Sequence, residues 1–410
     1  MGKWGKFGAL IYNPTHRLVI FMTIMVITGA VSLQALEIET YGSLELDSGI
    51  AGSGGTASAA AEGLIDANHR LYLTDAEFYI HHEAEAGYDN EVEYTIHEAY
   101  LVLFRDWGNL TFGRQRIPWG TGIFFSPTDA LHPVSLTGEA ETGFDGLSGT
   151  VLLPAGITIA GAVSLSPALD YAEAAAEAAA DPAAEELGER VRGAFSISGY
   201  AGTLDWRTTM VYQWQRIFRP GISLSADLAG YIINLEGALE LHNSLDYIPG
   251  TETPELWDLY PLAGGGIEKS WFGMSDTLTL IAEYLFDGRG YTEEQAADFF
   301  SAPPADLQDL VNSPALGRHY LNAGIEYNHD EKIRTEHGVL LNLQDASGTV
   351  FHILTYAIGS GVDFRLEGSW SFGDEERSEF GLYSQLAAQY DGIPDELAEY
   401  AISASVEVHF

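Results

Sequence analysis

The sequence predicts an all-β fold, a transmembrane antiparallel β-barrel of about 16 strands within a range of about 14–18, with long extracellular loops, some of them helical. Three observations predict it. Segments of about ten residues with period-two hydropathy recur from Leu36 to the end. Two tryptophans bracket one segment at the thickness of a hydrocarbon slab, and the last segment alternates apolar residues up to a terminal phenylalanine.

The segment Thr203–Phe218 is the clearest strand. Leu204, Trp206, Thr208, Met210, Tyr212 and Trp214 share one face, while Asp205, Arg207, Thr209, Gln213 and Gln215 share the other. Trp206 and Trp214 stand eight residues apart, about 26 Å along a strand and about 20 Å along the normal at a tilt near 40°, which suits a membrane girdle. A sandwich strand with two core tryptophans is the rival reading. The same division recurs where Ile233, Leu235, Leu239 and Leu241 oppose Glu236, Glu240 and His242. It recurs again where Leu278, Leu280, Tyr284 and Phe286 oppose Glu283 and Asp287. Further on, Leu366, Trp370 and Phe372 oppose Asp363, Arg365 and Glu367.

At the C-terminus, Ile402, Ala404, Val406, Val408 and Phe410 form an apolar row ending on an aromatic residue. This row resembles the terminal strand signal of bacterial outer-membrane barrels. The resemblance implies that Val408 and Phe410 are read by the barrel-assembly machinery.

The N-terminus reads as an export signal. Lys3, Lys6 and Arg17 precede an apolar run from Leu18 to Ile27, and small residues follow, with cleavage expected near Ala35 or, alternatively, Ala30. Residues 1–35 are therefore assigned to a signal peptide and 36–410 to the barrel; the run to Leu33 is short of the roughly 20 residues of a spanning helix. The chain holds no cysteine, which excludes both a disulfide framework and a lipid-anchored cysteine.

Strand ends sort into short turns and long connections. The turns fall at Asp106–Asn109, Pro154–Gly156, Ala201–Gly202, Gly273–Ser275 and His329–Glu331. The long connections fall at Pro118–Asp145, Ser166–Arg190, Asn243–Tyr260 and Gly290–Gly317. A tight turn at Arg219-Pro220-Gly221 is the exception on the long side, and Ser48–Asp66 reads as either a loop or an extra strand. Ala168–Glu189 and Tyr291–Leu310 carry helical patterns.

The most distinctive stretch joins Glu98-Ala99-Tyr100, a tight turn, Gly113-Arg114-Gln115-Arg116-Ile117-Pro118-Trp119-Gly120 and Ser126-Pro127-Thr128-Asp129. It resembles a segment of porin-like outer-membrane barrels of the alginate-export and related channel families, over about 33 of the 410 residues. The resemblance implies a channel of about 16 to 18 strands. It does not name the solute.

Read from its residues, the stretch concentrates charge. A lipid-facing arginine near the midplane costs about 2–4 kcal/mol, so Arg114 and Arg116 are expected to face the lumen, where Glu98 can pair with one of them. That parity turns Leu110 and Phe112 inward too, unless Gly113 marks a bulge. The loop Trp119–Asp145 carries Phe124, Phe125, Pro127, Leu131 and Pro133, too many apolar residues for free solvation. It either enters the lumen or packs across the rim.

Residues 1–35 hold three basic residues and no acidic one. Their removal leaves 16 Lys+Arg against 59 Asp+Glu, a formal charge of −43. Nucleic acid is a poor partner for such a chain; outer-membrane lipids and small hydrophilic solutes are the expected ones, and self-association as a homo-oligomer stays open. The pore-lining candidates are Glu98, Arg114, Arg116, Asp129, Asp205, Arg207, Glu236, Glu240, Glu283, Asp363, Arg365 and Glu367. With Asp227, Asp287, Glu326, Glu336, Glu407 and Arg334 added, the lumen is expected to be acidic and to prefer cations. No cofactor is expected. Enzymatic chemistry finds no support, since no serine is singled out beside His81, His82, His97 or His319, and adjacent His81 and His82 point to opposite strand faces and cannot share a metal. The expected function is passive diffusion through the outer membrane of a double-membraned bacterium. The alternative is a structural or adhesive barrel with binding loops.

Overall fold

A computed structural model describes residues 37–53, 56–86, 92–122, 124–129, 143–166, 191–213, 217–242, 258–292, 295, 317–330, 332–374, 378–381 and 399–410. The strands are β1 (Glu37–Ser53), β2 (Thr56–Leu73), β3 (Ala76–Ala86), β4 (Val92–Arg105), β5 (Gly108–Gln115), β6 (Phe144–Leu153), β7 (Ile157–Ser164), β8 (Arg192–Ala201) and β9 (Leu204–Gln213). They continue as β10 (Ile217–Leu228), β11 (Tyr231–His242), β12 (Asp258–Phe272), β13 (Asp276–Asp287), β14 (His319–His329), β15 (Ile333–Asn342), β16 (Ser347–Gly359), β17 (Val362–Phe372) and β18 (Tyr400–His409). Successive strands pair antiparallel, and β18 pairs with β1 from Ser43↔His409 to Gly52↔Tyr400, which closes the sheet. The barrel thus has 18 strands, two more than the central expectation. The stretch Ser48–Asp66 belongs to the β1–β2 hairpin, whose two long strands pair from Glu37↔Tyr72 to Ser53↔Thr56.

Burial is inverted relative to a water-soluble protein. On β11, Leu235 and Leu239 are 54% and 47% exposed while Glu236 and Glu240 are 7% and 3% exposed. Apolar residues facing outward on every side, with no open sheet edge, are what a bilayer requires of a strand-built protein. Trp206 shares its parity with exposed Met210 on the outer face of β9, and Trp214 lies outside the described residues.

Eight short connections, at 74–75, 106–107, 154–156, 202–203, 229–230, 273–275, 330–332 and 360–361, lie on one rim, together with the start of β1 and the end of β18. The long connections lie on the other, which also carries short ones such as the turn at 343–346. Phe410 completes the closure by exchanging backbone hydrogen bonds with Gly42, Phe410 N to Gly42 O at 2.9 Å and Gly42 N to Phe410 O at 3.0 Å. Val408 pairs with Leu44 and Val362 on the outer face.

Two sequence expectations are corrected here. Thr203–Phe218 is not one strand, because β9 ends at Gln213 and Phe218 returns on β10 opposite Tyr212. Arg219-Pro220-Gly221 is no turn but lies inside β10, where Pro220 faces Met210 of β9. The pairing with β11 skips from Phe218↔Leu241 to Gly221↔Ala238, since Pro220 has no N–H for that ladder. The expected signal peptide and the helix of Ala168–Glu189 lie outside the described residues, as does most of Tyr291–Leu310.

Candidate functional site

The connection after β5 turns into the barrel. Its first residues bury Trp119 against Phe144, Ala162, Ala194 and Val211, an apolar cluster on the inner faces of β6 to β9. The chain then crosses to β11 and β13, where two carboxylates receive it. Glu236 Oε1 accepts from Thr121 N, Thr121 Oγ1 (2.9 Å) and Gly122 N (2.8 Å). Glu236 Oε2 accepts from Ser126 Oγ (2.9 Å), Thr128 N (3.0 Å) and Thr128 Oγ1 (2.8 Å). Glu283 Oε2 accepts from Phe124 N (2.6 Å) and Phe125 N (3.2 Å). Backbone N–H groups that a loop would otherwise leave unsatisfied are thereby paired with buried negative charge.

Close approach on both sides makes this fit. A Cβ on Gly120 would stand 1.5 Å from Ser126 Oγ, and one on Gly264 of β12 would stand 3.0 Å from Pro127. Arginines of the wall complete the seat: Arg219 donates to Pro127 O, and Arg207 Nη1 donates to Pro118 O at 3.3 Å. Beneath the loop, Glu240 lies 3.3 Å from Arg219 and 3.4 Å from Arg289, and Arg289 also donates to Asp287 at 2.8 Å. Of the two placements open in the sequence, the described part of this loop takes the lumen; Leu131 and Pro133 lie outside the described residues.

A second segment enters near the long-loop rim. Glu379, 1% exposed, accepts from Tyr320 OH (2.5 Å) and Asn342 Nδ2 (2.7 Å), while its N–H donates to Asp345 at 2.8 Å. Phe125 of the first loop lies 6.3 Å from the Tyr320 ring, so both insertions meet on β14. Nothing in the period-two pattern marked Glu379, which sits in a connection.

The pore-lining candidates separate into three groups. Glu236, Glu240 and Glu283 face inward but are covered by the loop, and Asp129, on the loop, is 7% exposed within electrostatic reach of Arg207. Asp205, Asp363, Arg365 and Glu367 face the interior on uncovered wall, with Arg365 in an ion pair with Glu367. Glu98 accepts a hydrogen bond from the backbone N–H of Arg116 and lies near its charge.

Arg114 departs from expectation. It donates to Asp145 (2.8 Å) and to Ile96 O (2.9 Å), and it shares its face of β5 with Phe112, exposed beside its partner Leu147. Alternation therefore puts this ion pair on the outer side. It stands one residue from the long-rim end of β5 with its charge matched, so the midplane cost that argued for the lumen does not apply. Gly113 has φ of +122° but leaves the register of β5 continuous with both neighbours. The bulge lies instead on β4, where the pairing shifts between His81↔Glu98 and His82↔Ile96 and inserts His97. His81 then meets Asp66 (2.6 Å) and packs at a tilt against His97 inside, with ring centroids 4.8 Å apart, while His82 stacks on His69 outside.

No protein-family model matches the sequence, and no curated protein matches it. Solved structures do match. OccK2 (OpdF) of Pseudomonas aeruginosa superposes with a TM-score of 0.56 at 10% identity, over 91% of this chain and 97% of that one. OccAB1 of Acinetobacter baumannii gives 0.55 at 10% identity over 93% and 98%, and OccD3 (OpdP) of P. aeruginosa gives 0.51 at 9% over 93% of each. These are outer-membrane porins of the Occ type, and the likeness is one of fold.

Proposed function

We propose that the chain is a passive diffusion channel of the bacterial outer membrane for small hydrophilic solutes, with a preference for cations. The carrying observation is the wall that the loop leaves uncovered. Asp363, Glu407 and Glu45 lie in one register row across β17, β18 and β1, with no basic residue among them. A vestibule of about 1110 Å³ at the short-turn rim is lined by Asp276, Asp330, Glu336, Asp363 and Glu407 against Lys332, Arg334 and Arg365. The arginines of this wall are engaged with carboxylates, Arg334 with Glu336 at 2.9 Å and Glu326 at 3.3 Å. Excess carboxylate on a water-facing wall raises local cation concentration and repels anions, over a Debye length of about 8 Å at physiological ionic strength.

The shared fold with Occ-type porins supports passage of solute, and the inverted burial supports a lipid surround. Cleavage of residues 1–35 and recognition of Val408 and Phe410 by the assembly machinery belong to the same proposal. Planar-bilayer recording under a KCl gradient tests it: a reversal potential of cation sign is expected, and an anion sign refutes the preference. Absence of conductance in correctly folded protein overturns the channel in favour of a structural or adhesive barrel.

A further inference from the structure

The inner wall of β1 to β4 carries a cluster that bulk selectivity does not use. Tyr41, Tyr72, Tyr79 and Tyr100 stand on four successive strands, on the face that also carries Asp66 and Asn68. Register sets Glu39, Arg70, Tyr79 and Tyr100 in one row. The Arg70 guanidinium lies 5.1 Å from the Tyr79 ring centroid and 6.0 Å from that of Tyr41, and the Tyr79 and Tyr100 rings are 5.0 Å apart.

Carboxylates outnumber guanidinium groups here, Glu39, Glu77 and Glu98 against Arg70 and, beside Glu98, Arg116. Tyr72 OH donates to Glu39 at 3.1 Å, Glu77 stands 3.9 Å from Arg70 Nε, and Glu98 lies within electrostatic reach of Tyr79 and Tyr100. Tyr41 is 42% exposed and the Arg70 side chain 37%, so the patch opens to the lumen.

Ring faces attract cations through their quadrupole, and weakly hydrated alkylammonium groups are the ones that aromatic cages take. Carboxylate excess adds attraction for such a group and repels an anion. A neutral ring-shaped solute would gain only the stacking. Arg70, held by Tyr72 and by a long contact to Glu77, is a resident cation on those same rings.

We propose that this patch is a binding station for small alkylated ammonium solutes, which displace Arg70 from the tyrosine rings and draw on Glu39 and Glu98. The inference deepens the channel reading by naming a solute class, yet binding at this wall needs only access from one side. Its test is therefore an equilibrium titration of folded, detergent-solubilised protein at low salt. The probes are choline and its uncharged isostere 3,3-dimethylbutanol, with conductance measured separately.

Choline is expected to bind saturably and at least tenfold more tightly than the isostere. The Tyr41→Leu/Tyr100→Leu variant is expected to lose at least tenfold, and Tyr41→Phe/Tyr100→Phe to stay within threefold of the parent. Arg70→Ala is expected to tighten binding at least threefold by removing the competitor. Equal affinity for the isostere, no choline binding, or weaker binding in Arg70→Ala overturns the proposal. If the leucine variant does not fold, Glu39→Gln/Glu98→Gln takes its place, with tenfold weakening expected and parent affinity overturning the claim. A barrel that binds choline but does not conduct would sink the channel and leave the station standing.

Discussion

The wall under the inserted loop and the wall of β17, β18 and β1 are built from the same alternation, yet their carboxylates do different work. On β11 and β13, Glu236 and Glu283 accept hydrogen bonds from six residues of the loop, and Glu240 closes on two arginines; all three are buried. On β17 and β18, Asp363 and Glu407 line the vestibule at the short-turn rim. An inward carboxylate is a pore charge only where no donor-rich segment comes to meet it. The loop removes one side of the barrel from the pore and leaves the other to set its field.

The largest expected effect comes from breaking the covered side. Glu236→Gln replaces a carboxylate that accepts six hydrogen bonds with an amide whose NH2 faces other donors, and each buried donor left unsatisfied costs about 1–3 kcal/mol. Single-channel recording should show at least a doubling of mean conductance with added current noise. Glu283→Gln, which receives two N–H groups, should show a smaller rise.

Next in size is Glu240→Gln, which strips Arg219 and Arg289 of a shared partner in a buried network. Breaking a buried pair from one side costs about 3–5 kcal/mol, so the barrel should lose its fast-migrating gel form at a lower temperature. Conductance of the surviving channels should stay within twofold of the parent. The smallest effects separate the two motif arginines: Arg114→Gln should leave the reversal potential unchanged, because its ion pair lies on the outer side. Arg116→Gln, beside Glu98, should shift it modestly toward cations.

Much of this division was readable in the chain before folding. Leu235, Glu236, Leu239 and Glu240 announce both faces of β11, since a bilayer and a wet interior impose opposite polarity at period two. The motif from Gly113 to Asp129 was readable as special, and its apolar content as unsuited to solvent. What parity could not reveal was which wall the loop would meet, because Glu236 lies 115 residues from Thr121 and that contact is made only by closure. Arg114 was misread because its matched partner, Asp145, stands 31 residues on, beyond the long loop. The β4 bulge at His97 leaves no local sign, as His97 continues an unbroken strand pattern.

One paired measurement bears most directly on the claim that only the uncovered wall sets selectivity. Reversal potentials in a KCl gradient would be recorded for the parent, for Asp363→Asn/Glu407→Gln, and for Glu236→Gln/Glu283→Gln. Each double variant neutralises two inward carboxylates. The first is expected to lose a clear part of its cation preference at near-parent conductance, while the second gains conductance and keeps the parent's preference within error at matched salt. Loss of preference in the second variant together with parent behaviour in the first would contradict that claim.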